Sequence, residues 1–217
     1  MKLPILQNSK GMTVVELLVA AFLFSIFSLT LFAVFNLSNI IIRTNDVHTR
    51  LTFDGMQVLR SVDREIRQTS YTTDRLVITT DGNSNSVVRF QVPVDYDDDG
   101  DVVSSSLTKS VEWGAYDNAQ DTTKGTYGNN PLNRWTRYSV TNGQLIRDVL
   151  DATLTAVSSL SRVMANDVQS FTVTQASTTI LTITINFSAQ DKAGQSGSAR
   201  TIQSSFTNKT ILRNAPT

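Results

Sequence analysis

The strongest constraint on this chain is an apolar run from Met12 to Phe35 that contains a single ionisable residue, Glu16. At about 1.5 Å per residue, a helix of that length crosses the roughly 30 Å hydrocarbon core of a bilayer. A carboxylate at membrane depth costs about 2.5 to 3.5 kcal/mol at a helix centre, so Glu16 needs a reason to be there. Proline is missing from residue 5 to residue 92, which permits one very long helix.

Beyond Phe35 the helical pattern continues with a changed surface. Leu37, Ile40, Ile41, Val47, Leu51, Met56, Leu59, Val62 and Ile66 recur mostly at three- and four-residue steps, while Arg43, Asp46, Arg50, Asp54, Arg60, Asp63, Arg64 and Arg67 fill other positions. This half is amphipathic and predicts packing against a core. Residues 1–11 are short and polar, carry Lys2 and Lys10 and end in Gly11. By the positive-inside rule this leader stays cytoplasmic and the rest of the chain lies across the membrane. A secretory signal peptide has a shorter apolar region and a small-x-small cleavage site, whereas Asn36-Leu37-Ser38 follows here. A plain signal anchor remains a second reading.

The chain has 217 residues, enough for one core of ordinary size plus an N-terminal appendage. Lys plus Arg equals Asp plus Glu at 19 each, and no basic block exists, so nothing points to a nucleic-acid partner. Cysteine is absent, which removes disulfides, thiolate metal sites and cysteine nucleophiles. There is no phosphate-binding glycine loop. His48, the single histidine, sits among polar residues with no second ligand nearby and reads as a surface residue. No serine has a base that can be placed beside it, so the chain does not read as an enzyme.

After Thr69 the periodicity changes to two. Val88, Phe90, Val92 and Val94 alternate with polar residues or proline, and so do Ile183, Ile185 and Phe187, as in strands with one buried face. Pro93 places its strand at a sheet edge or near its own end. Asp81-Gly82 and Asn142-Gly143 mark two hairpins. Residues 117–131 read as loop, Val157, Leu160, Met164 and Val168 predict a short helix across 156–168, and Trp113 and Trp135 read as core or interface anchors. The expectation is an α+β fold: a long N-terminal helix, membrane half then amphipathic half, packed on an antiparallel β-sheet.

The basic leader, the Gly11-Met12 junction, Glu16 five residues into the mature chain and the apolar helix behind it resemble the type IV prepilin signal. The arrangement of residues 36–70, the hairpin YSVTNGQLIRDV and the ending SSFTNKTILRN are similar to minor pilins of the PilW type, or to the related J-type minor pseudopilin of type II secretion. This resemblance implies a leader at 1–11, a transmembrane half at 12–35, an amphipathic half at 36–69 and a β-rich head at 70–217. It implies cleavage after Gly11 by prepilin peptidase, N-methylation of the new terminus Met12, and an assembly role for Glu16. The implied function is non-catalytic: the subunit joins a priming or tip complex for pilus assembly. Its partners would be other minor pilins, the major pilin, the peptidase and the inner-membrane assembly platform. Location follows: single-pass in the bacterial inner membrane with a periplasmic head, then at a pilus or pseudopilus tip.

Three departures stand out. Met12 replaces the usual Phe, the membrane helix lacks the proline common in major pilins, and no cysteine pair ties down a C-terminal loop. Two readings from other classes stay open: a tip-displayed adhesive or ligand-binding module using residues 117–131, and a signal-anchored periplasmic enzyme.

One further motif is the run DYDDDGD at residues 95–101. Asp95, Asp97, Asp99 and Asp101 alternate around Gly100, as in the opening of a calcium-binding loop. The twelfth position, which should carry a bidentate Glu, is Ser106. A solvated turn rich in Asp and Gly is the competing reading.

Overall fold

A computed structural model describes residues 12–70, 74–96, 101–103, 110–116, 132–177, 179–191 and 200–213. The chain divides into two compact units, Met1–Asn45 and Asp46–Thr217. One helix, α1 (Val14–Ile66), contributes to both.

In the first unit α1 is apolar on every side. Val14, Leu18, Phe22, Leu29, Phe32 and Phe35 are all exposed, and this stretch is long and apolar enough to cross a membrane. Two of its hydroxyls are satisfied locally: Ser25 Oγ donates to the Ala21 carbonyl at 2.8 Å and Thr30 Oγ1 to the Phe27 carbonyl at 2.7 Å. In hydrocarbon, where no water can serve them, such bonds spare the helix an unsatisfied polar group.

The second unit is built on the rest of α1 and ten strands: β1 (Leu76–Thr80), β2 (Ser86–Phe90), β3 (Val92–Pro93), β4 (Trp113–Gly114), β5 (Trp135–Thr141), β6 (Gln144–Leu150), β7 (Arg162–Ala165), β8 (Val168–Ser177), β9 (Ile180–Asp191) and β10 (Arg200–Ile211). They form a five-stranded sheet in the order β1-β2-β5-β6-β7, a three-stranded sheet β10-β9-β8 and a two-stranded ribbon β3-β4. All pairings are antiparallel. The α+β expectation is met, with α1 contacting sheets whose apolar faces it covers. Leu51, Val58, Val62 and Ile66 of α1 share one core with Phe90 and Tyr138 of the first sheet and Phe171, Ile183, Ile185 and Phe187 of the second.

Gly55 sets how closely α1 approaches the second sheet. A Cβ built there would lie 2.3 Å from the Phe206 ring of β10, so only glycine allows this contact. The Phe206 ring meets Phe187 edge-on at 5.8 Å between centroids.

Both hairpins form where the turn residues place them. Asn142 and Gly143 have φ of 51° and 72°, the paired positive values that a two-residue hairpin turn of type I′ requires, and Thr141 pairs with Gln144. In the β1–β2 turn, Asp81 Oδ1 accepts the amides of Asn83 and Asn85, both at 2.8 Å. Those bonds, that from Asn85 foremost, hold the Asp81 carboxyl below its usual pKa.

Three expectations are corrected. The sheet is not single: the strand around Val88 to Val94 breaks at Gln91, whose amide turns aside to the Arg75 carbonyl at 3.0 Å, and Pro93 ends the second piece in the small ribbon. The helix across 156–168 does not form. Ser158–Leu160 is a single 3-10 turn and Arg162–Ala165 is β7, paired to β6 across a bulge. Leu160 packs in a small cluster with Ala115, Val149 and Val157, so its spacing reflected two separate contacts and not one helical face. Thirdly, the sequence reads the final strand as two pieces, roughly Thr201 to Phe206 and then Thr210 to Leu212, whereas β10 is continuous from Arg200 to Ile211.

Candidate functional site

The helix start is held by its own side chains. Thr13 lies just before the first helical residue, and its amide and hydroxyl donate to Glu16 Oε2 at 2.8 and 3.0 Å. The Glu16 amide donates back to Thr13 Oγ1 at 3.3 Å. This reciprocal arrangement is a capping box, which satisfies amides that the first helical turn leaves unpaired. Both donated bonds fall on Oε2, so Oε1 takes no hydrogen bond among the described residues. Met12 is exposed, Glu16 is exposed on the same turn, and Gly11 lies outside the described residues. The capping role escaped the sequence reading, although its signal, Thr followed three residues later by Glu ahead of an apolar run, was there to see.

Four residue steps separate Met12 from Glu16, a rise of roughly 6 Å at about 1.5 Å each if the helix extends to Met12, where in this chain it begins at Val14. A free α-amino group in water titrates near pH ~8, so an amine released at Met12 would be largely cationic at neutral pH. A neighbouring helix displaced axially by that rise could bring its amine to Oε1 while the cap keeps Oε2.

Of the acidic run, Asp97 and Asp99 lie outside the described residues, as do Asp98 and Gly100. Asp101 Oδ1 accepts the Val103 amide at 2.6 Å. Glu112, which sequence reasoning did not connect to this run, is buried between its two stems: Oε2 accepts the Tyr96 amide at 2.7 Å, and its own amide donates to Val102. Among the described residues, no three His, Asp or Glu side chains gather as a metal site. His48 is exposed, as expected. The Trp113 ring lies under the Arg75 guanidinium, 5.3 Å from ring centroid to carbon, which makes it a cation–π partner within the head. The proposed contact loop, residues 117–131, lies outside the described residues.

The most developed polar cluster was not foreseen. Arg147 on β6 is wholly buried and grips Glu65 of α1, with Nη2 to Oε1 at 2.8 Å and Nε to both carboxylate oxygens at 3.1 Å. Tyr138 on β5 donates its hydroxyl to Glu65 Oε2 at 2.6 Å, and Arg147 Nη2 also donates to the Tyr116 carbonyl at 2.9 Å. Burial, then the Glu65 charge, pushes the Tyr138 phenol well above its usual pKa. Burial alone would lower that of Arg147, but the Glu65 charge and hydrogen bonds together with Tyr138 outweigh it and the net direction is upward. Glu65 falls in the apolar stripe of α1, between Val62 and Ile66, and that position was the available signal.

This cluster is enclosed, with every member bonded to another, so it offers no group to a substrate. Its chemistry is that of a clamp fixing the last turn of α1 against the five-stranded sheet. No family model matches the chain, and comparison with curated proteins and with solved structures gives no match either. The features in hand are those of an α+β chain in which one helix has an apolar half long enough to cross a membrane and a second half that supplies the core of a β-rich unit.

Proposed function

We propose that this chain is a minor pilin: anchored by the first half of α1, processed after Gly11, and joined through Glu16 to other subunits in a complex that primes or tips a type IV pilus. The observation that carries the reading is Glu16 itself. It is the only charge in the exposed apolar half of α1, one oxygen is committed to the helix cap and the other is open. A charge in lipid is costly alone and favourable when an opposite charge meets it, so pairing with a neighbour's terminal amine drives association and sets its axial register. The partners are further minor pilins, the major pilin, the peptidase and the membrane assembly platform. The chain performs no covalent chemistry, and the energy for filament growth comes from a separate motor.

Glu16→Gln separates this role from simple capping. Glutamine also serves at the third position of a capping box, so a Glu16 that only caps would tolerate the change. The pilin reading predicts that the variant inserts and is processed but no longer co-purifies with the other subunits, and that piliation falls. Normal piliation in this variant contradicts it.

The same arrangement suits a minor pseudopilin of type II secretion, and a knockout that blocks secretion while sparing pili would select that version. The adhesive reading predicts that deleting residues 117–131 spares piliation and abolishes attachment.

A further inference from the structure

The five-stranded sheet turns one face to the core and the other away from it. Tyr138 and Arg147, which meet Glu65 of α1, mark the inner face. Side chains alternate along a strand, so the residues beside these two point outward, and the register sets Arg89, Arg137 and Asp148 side by side across β2, β5 and β6. Val87 and Ile146 lie two residues along the same strands from Arg89 and Asp148, and Ile146 pairs with Val163 of β7. Val87, Ile146 and Val163 belong to neither apolar cluster, and Val163 is 50 % exposed. α1 and β8 share the core on the inner side. On the outer side the 3-10 turn is followed by Ser161, which reaches the Asp148 end of the row.

The charges in this row do not balance. Arg89 stands directly opposite Arg137, and like charges so placed destabilise a sheet. Asp148 answers one of them: Arg137 Nε and Nη2 donate to its Oδ2 at 3.0 and 2.5 Å, and Ser161 Oγ donates to its Oδ1 at 2.6 Å. The half-buried Arg89 makes no hydrogen bond and no ion pair among the described residues. A guanidinium held against another, without a countercharge and beside aliphatic side chains, is costly to the isolated chain and favourable to one that receives a carboxylate.

We propose that this face docks a segment of a different protein that is both acidic and aliphatic, with a carboxylate seated between Arg89 and Arg137 and aliphatic side chains over Val87, Ile146 and Val163. Charge and composition together select that occupant. Two copies set face to face would bring Arg89 and Arg137 of one against those of the other, so the patch lacks the self-complementarity that an isologous contact requires. The acidic run of this chain, DYDDDGD, has carboxylates but no aliphatic residue to meet the valines and the isoleucine. A nucleic acid would neutralise the arginines and leave the same side chains bare. From β2 to β7 the patch is about 14 Å wide at ~4.8 Å between strands, which one helix or strand of a partner covers. The proposal uses only residues of the second unit and does not rest on the membrane or processing assignments.

The test uses the full-length chain in its host membranes, with a photo-crosslinking amino acid at Val87 and, as control, at Thr207 on the other sheet. The expected result is an adduct from Val87, and none from Thr207, to one segment of another protein that carries Asp or Glu, mapped by mass spectrometry. Arg89→Thr should cut its yield at least tenfold with a melting temperature unchanged or raised, since the repulsion from Arg137 is gone. Arg89→Glu combined with Arg at the mapped acidic position of the partner should restore it. Val163→Asp, at a half-exposed position on the last strand of the sheet, should lower the yield independently by setting a carboxylate beside the docked one. An adduct only to a second copy, to residues 117–131 of the same chain, to nucleic acid or to lipid overturns the proposal, as does no adduct. So does an adduct that survives Arg89→Thr or Val163→Asp, a charge exchange that restores nothing, or a melting temperature lowered by Arg89→Thr, which would make Arg89 a structural residue.

Discussion

At the scale of single residues, Gly55 shows how one missing methyl group can set a packing distance. In an exposed helix interior, Gly→Ala gains about 1 kcal/mol from helix propensity. Here the new Cβ would lie 2.3 Å from a Phe206 ring atom, too close for the helix and β10 to keep their places. Gly55→Ala should therefore lower stability by about 1–3 kcal/mol, the usual range for overpacking. Denaturant unfolding of the detergent-solubilised chain would measure this, and adding Phe206→Leu should recover part of the loss. A stabilised Gly55→Ala would mean that the contact is looser than the structure shows. Tyr138 gives a prediction in pH. Its folded pKa is raised, so its contribution is complete below the unfolded value of about 10 and is lost as pH rises from there toward the folded value. The melting temperature should fall above pH 10, and Tyr138→Phe should fall less steeply over the same range.

At the scale of elements, the last turn of α1 is held to the five-stranded sheet by a buried charge pair as well as by apolar contact. Removing one partner of such a pair strands the other, at a cost of about 3–5 kcal/mol. Arg147→Met should show a loss of that size, and Glu65→Leu combined with Arg147→Met should restore more than half of it. Equal losses in the single and double variants would mean that packing, and not the stranded carboxylate, dominates. The helix itself was legible from its period and its proline-free length, and the β5–β6 hairpin from Asn142-Gly143, since each signal is local. Neither the break at Gln91 nor the β7 strand was legible. Both depend on partners distant in sequence, the Arg75 carbonyl in one case and the open side of β6 in the other. Glu65 and Arg147 are separated by 82 positions, and nothing near either names the other.

At the scale of the whole molecule, the chain combines an apolar helical half with a β-rich unit whose core is complete among the described residues. Of the candidate site, the sequence displayed the charge at Glu16 and its distance from Met12. The structure adds that one carboxylate oxygen is already used as a cap. That addition gives Glu16 a local role beside the intermolecular one we propose, and makes the glutamine variant informative. The central claim is that Met12 becomes a terminus, because without a free amine four steps before Glu16 there is no countercharge for a neighbouring subunit to offer. Intact-mass measurement of the protein extracted from membranes of a host with the peptidase tests this most directly. The account predicts a chain that begins at Met12, with or without one added methyl group, and a chain still carrying residues 1–11 would contradict it.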